Sequence, residues 1–122
     1  MTLEEIKKQA LFQTGADEED QADWEPSLTA FINEGYDRLL YAFCRMHVHD
    51  DSMFQPLTHS RAMPELPQWS HAAIADYASW RLCMSGPAAR QARGAAFRAS
   101  FEEAQGRLRR ESGGAYIRGI PL

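Results

Sequence analysis

Apolar residues recur at three- and four-residue steps along most of this chain, and that spacing predicts helices rather than strands. The strongest signal is Leu28, Ile32, Gly35, Leu39, Ala42, Phe43 and Met46, which places one apolar face on a helix from about Pro26 to Val48. Pro26 suits a first helical turn. Gly35 costs about 1 kcal/mol in mid-helix relative to Ala, so its place on the apolar stripe predicts close approach by another helix. Upstream, Leu3, Ile6, Ala10 and Leu11 give a shorter helix over Leu3–Gln13. Thr2 and Glu5 are spaced as a capping box, and Gly15 is placed to end that helix. Between the two lies Asp17-Glu-Glu-Asp-Gln-Ala-Asp, read as a solvated acidic connector. It lacks the alternating ligands and central glycine of a calcium loop.

A third helix is predicted over Ser70–Ser85. Ala73, Tyr77, Trp80 and Met84 form one stripe, and Ile74, Ala78 and Leu82 carry apolar character onto another side. A helix apolar around most of its circumference belongs at the centre of a bundle. Gly86 can close it, and Pro87 can open a fourth helix running to about Glu111, with Phe97, Phe101, Ala104 and Leu108 as its core face. The segment His49–Pro67, with Pro56, Pro64 and Pro67, is long for a structureless connection. It is either a short hairpin or a functional loop, with Met53, Phe54 and Leu57 available to pin it to the core or to touch a partner. The fold expected is all-α: a small bundle of about four helices, a long loop between helices two and three, and an extended C-terminal tail. Residues 1–111 form the helical domain. Residues 112–122 form a Gly/Pro-punctuated apolar tail that is either folded back on its own domain or held by another chain.

Composition bounds the function. The 122 residues are enough for one core. No stretch approaches the length of a membrane span, and Met1–Lys8 lacks the basic-then-apolar order of a signal peptide. Cys44 and Cys83 form no CxxC pair and read as buried thiols of a reducing compartment. Net charge is −4, but residues 1–80 carry −9 and residues 81–122 carry +5. Either these are solvated faces, or acidic and basic ends meet between subunits, or the basic end faces nucleic acid. Few basic residues interleave with aromatics, as a nucleic-acid surface would require.

Candidate chemistry is sparse. Cys44, His47, His49, Asp50 and His59 are close in sequence, but neither HExxH nor paired CxxC organises them, and no metal site is assigned. Gly113-Gly114 is not followed by the Lys-Ser/Thr of a phosphate loop. Glu4-Glu5 and Glu102-Glu103 are adjacent on helices and point apart. No catalytic, cofactor-binding or metal-ligating residues are expected, and the chain is not expected to be an enzyme. Arg90, Arg93, Arg98, Arg107, Arg109 and Arg110 are either a solvated face, with Arg98 and Glu102 as an i, i+4 pair, or a strip that meets a partner. Arg90 and Arg93 lie next to the Phe97 stripe, an awkward place for charge without a counter-charge. With Arg98 they are the interface candidates on helix four; Tyr116, Ile117 and Ile120 are those of the tail.

Three segments together resemble one family. Leu66-Pro-Gln-Trp-Ser-His-Ala-Ala-Ile-Ala-Asp-Tyr-Ala-Ser-Trp-Arg-Leu82, Phe97-Arg-Ala-Ser-Phe-Glu-Glu-Ala104 and Phe31-Ile-Asn-Glu-Gly-Tyr-Asp-Arg-Leu39 are similar to the core helices of head–tail connector (adaptor, head-completion) proteins of tailed bacteriophages and prophages. The resemblance implies a small helical structural protein that self-associates into a ring, dodecameric in the family. That ring sits below the portal protein, around the DNA channel, and receives a tail-side stopper or tail-completion protein. DNA passes through without sequence-specific binding, no membrane is involved, and the location implied is the virion neck, reached from the host cytoplasm. The alternative from the residues themselves is a helical DNA-binding or packaging-associated module using the arginine-rich fourth helix.

Overall fold

The computed structural model describes residues 1–43 and 54–119, the last eight of these as backbone only. Four α-helices form an all-α bundle: α1 (Leu3–Thr14), α2 (Glu18–Phe43), α3 (His71–Cys83) and α4 (Ala88–Gly119), with one 3₁₀ turn at Gln68–Ser70 leading into α3. No strand occurs among the described residues.

The first helix forms where its caps place it. Thr2 accepts from the Glu5 backbone, Glu5 reaches back to the Thr2 amide at 2.9 Å, and Gly15 takes the left-handed conformation (φ 69°) that lets its amide reach the Leu11 and Phe12 carbonyls. Leu3, Ile6 and Ala10 are buried as the stripe predicts.

The second helix begins at Glu18, eight residues before Pro26. Asp17 and Asp20 cap its start reciprocally, the Asp20 amide donating to Asp17 Oδ1 at 2.7 Å and the Asp17 amide to Asp20 Oδ2 at 3.4 Å. Glu18, Glu19 and Asp20 then meet the positive end of the helix dipole. The acidic stretch is therefore a helix start and not a connector. Pro26 lies inside the helix, where it leaves the Ala22 carbonyl without its usual amide; both residues are exposed, so water can take that place. Leu28, Ile32, Gly35, Leu39 and Ala42 are buried and Phe43 packs partly against the core. Cys44–Met53, including Met46 and the helix end expected near Val48, lie outside the described residues.

At the centre, α3 packs against each of the other helices. His71, Ala73, Ile74, Ala75, Tyr77, Ala78, Ser79, Leu82 and Cys83 are buried around most of its circumference, while Met84, expected on its stripe, is half exposed. Two glycines set how closely its neighbours approach. A Cβ on Gly35 of α2 would lie 2.9 Å from the Tyr77 ring and Cβ, and one on Gly94 of α4 would lie 2.8 Å from the Cys83 Cβ. From α4, Phe101 and Leu108 are buried and Phe97 and Ala104 partly so. The Tyr77 ring stands 4.9 Å from Phe101 and edge-on to Trp80 at 5.4 Å.

The helix α4 runs on to Gly119, past the end expected near Glu111. A glycine stops a helix when it adopts a left-handed cap, as Gly15 does; Gly113 and Gly114 lie within the helical run. Ile120–Leu122 lie outside the described residues.

The segment from Phe54 to Pro67 forms a strap rather than a hairpin. Asn33 of α2 clamps it by accepting from the Leu57 amide (2.6 Å) and donating to the Leu57 carbonyl (3.0 Å). Tyr36 accepts from the Glu65 amide, its ring meets Phe54 at 5.3 Å, and Leu57 is buried. The carbonyls of Ala62 and Ser60 in turn receive the Leu3 and Glu4 amides at 2.8 and 3.1 Å, satisfying donors that a helix start leaves open. Phe54 and Leu57 thus pin the strap to the core, while Met53 lies outside the described residues.

Gly35→Ala should lower stability by about 1 kcal/mol, an overpacking penalty of about 2 kcal/mol against Tyr77 less the helix-propensity gain of alanine. Gly106→Ala, whose Cβ would meet only the flexible end of Arg110, should instead raise it by about 0.5–1 kcal/mol. Urea denaturation of the two variants beside the wild type measures both signs.

Candidate functional site

The three helix-four arginines expected at an interface are each engaged within the chain. Arg90 pairs with Asp20 (Nη2–Oδ2 3.4 Å) and lies 5.1 Å over the Trp24 ring. Arg93 Nη1 donates to the Thr14 carbonyl at 3.2 Å, placing a cation at the C-terminal end of α1, whose own last turn has none. Arg98 makes the expected i, i+4 pair with Glu102 at 2.9 Å and lies 5.0 Å over Trp80. Arg107 continues the pattern, 3.8 Å over Trp69 and paired with Glu111, which also accepts from Trp69 Nε1 at 3.2 Å. Each of the three tryptophans in the chain thus carries one arginine of α4 on its face. The awkward charges beside Phe97 have their counter-groups in Asp20 and a helix terminus, both distant in sequence.

Arg109 and Arg110 differ: both are exposed and neither forms an ion pair among the described residues. Tyr116 and Ile117 lie on the helical backbone of α4, and Ile120 lies outside the described residues.

A polar cluster missed by sequence reading joins α2 to α3. Glu34 accepts hydrogen bonds from the Tyr77 hydroxyl and the Arg81 guanidinium and pairs with Arg38 at 3.6 Å. Arg81 also reaches the Tyr77 oxygen at 3.2 Å and lies 4.5 Å over Phe31. Burial and the neighbouring Glu34 push the Tyr77 hydroxyl up from its ordinary value, and the hydrogen bond to Tyr77, with Glu34 nearby, raises Arg81. Arg81 forms part of the wall of an open cleft of about 240 Å³ with Trp24, Phe31, Leu82 and Met84. The cluster satisfies the phenol of a buried tyrosine and holds no nucleophile. Only the i, i+4 spacings Glu34–Arg38 and Tyr77–Arg81 could have hinted at it.

His71 and Cys83 are two further titratable groups of the core among the described residues. His71 is buried between the Met1 amino nitrogen (Nδ1, 2.7 Å) and the Leu66 carbonyl (Nε2, 3.0 Å). Burial lowers its pKa, with the positive amino group adding to the effect. Burial raises the Cys83 thiol, which keeps it protonated and unreactive. Among the described residues no group of three or more His, Cys, Asp and Glu gathers to hold a metal; Cys44, His47, His49 and Asp50 lie outside them.

An exposed apolar feature lies at the corner of α1 and α2. A groove of about 510 Å³ is lined by Lys8, Leu11, Phe12, Gly15, Ala16 and Gln21. Phe12 is 82% exposed there. Glu18 and Glu25 lie one turn before and after Gln21 on α2; Glu25 pairs with Lys7, whereas Glu18, Glu19 and Asp23 form no ion pair among the described residues.

A buried neutral histidine predicts a pH signature. The unfolded chain binds a proton near the ordinary histidine value and folded His71 does so only at lower pH, so the stability it contributes is present above pH ~6.5 and is lost as pH falls below it. Urea midpoints between about pH 5 and 7.5 should therefore fall on the acid side, and more steeply than for His71→Gln. Comparison of the chain with protein-family models, with curated proteins and with solved structures finds no match.

Proposed function

We propose that this protein is a structural subunit of the head–tail junction of a tailed bacteriophage or prophage. It assembles as a ring below the portal protein, around the DNA channel, and receives a tail-side stopper or completion protein. The observation that carries this reading is where the family-like segments fall. Leu66–Leu82 is the 3₁₀ turn and the central helix α3, Phe31–Leu39 supplies the face of α2 that meets it, and Phe97–Ala104 brings Phe101 onto Tyr77. The residues that resemble a connector are thus the ones around which the bundle packs. No helix among the described residues is long and apolar enough to cross a membrane.

The DNA-binding alternative draws on the arginines of α4. Four of them face tryptophan rings, carboxylates or a helix end of their own chain, which leaves Arg109 and Arg110, among the described side chains of α4, as the cations without such a partner. Binding to duplex DNA that weakens steeply with salt would favour that alternative.

Native mass measurement with the cognate portal present tests the main reading: a ring bound to portal is expected, and a protein that stays monomeric and apart from portal overturns it. Deleting residues 113–122 should abolish that assembly. With the tail held by the partner rather than by its own core, the deletion should move the melting temperature of the isolated protein by less than about 2 °C, and a larger drop would show that the tail packs on its own domain.

A further inference from the structure

Two exposed features without ion-pair partners among the described residues lie at opposite ends of the domain. Arg93 holds the Thr14 carbonyl, and Arg90 holds Asp20, so the α1–α2 corner with Phe12 and Glu18 sits beside the first turns of α4. At the other end, Arg107 and Glu111 hold Trp69, at the start of α3. Arg93 and Arg109 are therefore separated by about 24 Å of helix axis, and the helix runs on for about 15 Å more to Gly119. The helical segment beyond Leu108 carries Arg109, Arg110 and Arg118 and, in sequence, Ala115, Tyr116 and Ile117. It points away from its own α1–α2 corner, along a continuous helix that leaves no route back.

We propose that this basic arm of one copy seats on the α1–α2 corner of a second copy, with Phe12 in the contact and Arg109 and Arg110 facing the unpaired Glu18 and Glu19. The occupant is argued from charge complementarity and from geometry: an exposed aromatic with unpaired carboxylates at one pole, unpaired arginines at the other, and a continuous helix that carries the two apart. A contact between unlike surfaces is heterologous. Repeated, it generates a ring when the rotation closes and a filament when it does not. The inference deepens the ring-subunit reading, naming the surface through which copies join.

A charge swap in the full-length chain tests it. Self-association is measured by sedimentation equilibrium at about 0.05 M and about 0.5 M salt, with thermal melts confirming that each variant is folded. The wild type should self-associate more tightly at low salt. Glu18→Lys/Glu19→Lys and Arg109→Glu/Arg110→Glu should each weaken association by about tenfold or more, and mixing the two should restore it, because each arm then meets a groove of opposite charge. Phe12→Ser should weaken association without lowering the melting temperature. A wild type that is monomeric throughout, a swapped mixture that fails to recover, or a dimer joined symmetrically through Phe12 would overturn the assignment. Assembly on portal that survives both reversals would overturn this surface while leaving the ring reading intact.

Discussion

The bundle depends on how closely α2 and α4 can approach α3. Gly35 lets the ring of Tyr77 lie against the backbone of α2, and Gly94 lets the backbone of α4 lie against Cys83. With a large side chain at either place, Phe101 could not reach the Tyr77 ring and the Tyr77 hydroxyl could not reach Glu34 together with Arg81. Tyr77 buries its ring in the core and delivers its one polar atom to a paired carboxylate at the edge, so that burial leaves no orphaned donor. The contact is apolar in its bulk and polar only at its rim, which is where a partly exposed ion pair is least penalised by desolvation.

The outer layer of α4 follows a second rule. Its arginines lie along aromatic faces, with their aliphatic stems covering ring surface and their charged ends at carboxylates or a helix terminus. Trp24, Trp80 and Trp69 mark three stations along the helix, each bridging α4 to a different part of the chain. A long helix with little apolar surface of its own is thereby held at intervals along its length. Individually such exposed pairs are weak; their spacing resists rotation of α4 about its axis.

Features that depend on residues near one another in sequence were legible. Thr2 with Glu5 and Gly15 bounded α1, the three- and four-residue stripes marked the buried faces of α2 and α4, and a glycine on such a stripe pointed to helix contact. The start of α2 was misplaced because Pro26 is a strong local signal, whereas the Asp17–Asp20 cap looks, in one dimension, like any acidic run. The partners of Arg90 and Arg93 lie 70 and 79 residues away, and Glu34 lies 43 and 47 residues from Tyr77 and Arg81. Such pairings are products of the packed fold and leave no periodic trace. Of the interface candidates, Arg90, Arg93 and Arg98 were expected to meet a partner, and the structure shows each holding a group of its own chain.

The strap between α2 and α3 has a consequence for the order in which the molecule assembles. The first two amides of α1 are held by carbonyls of residues 60 and 62, and the strap that carries them is held by Asn33. A helix made of sequence-local hydrogen bonds thus has its leading turn secured by contacts nearly sixty residues away. The entropy of closing that loop must be met before the first turn of α1 is locked. The leading turn of α1 is accordingly secured only once the strap has docked on α2. Amide exchange at Leu3 would report on docking of the strap rather than on fraying of a helix end.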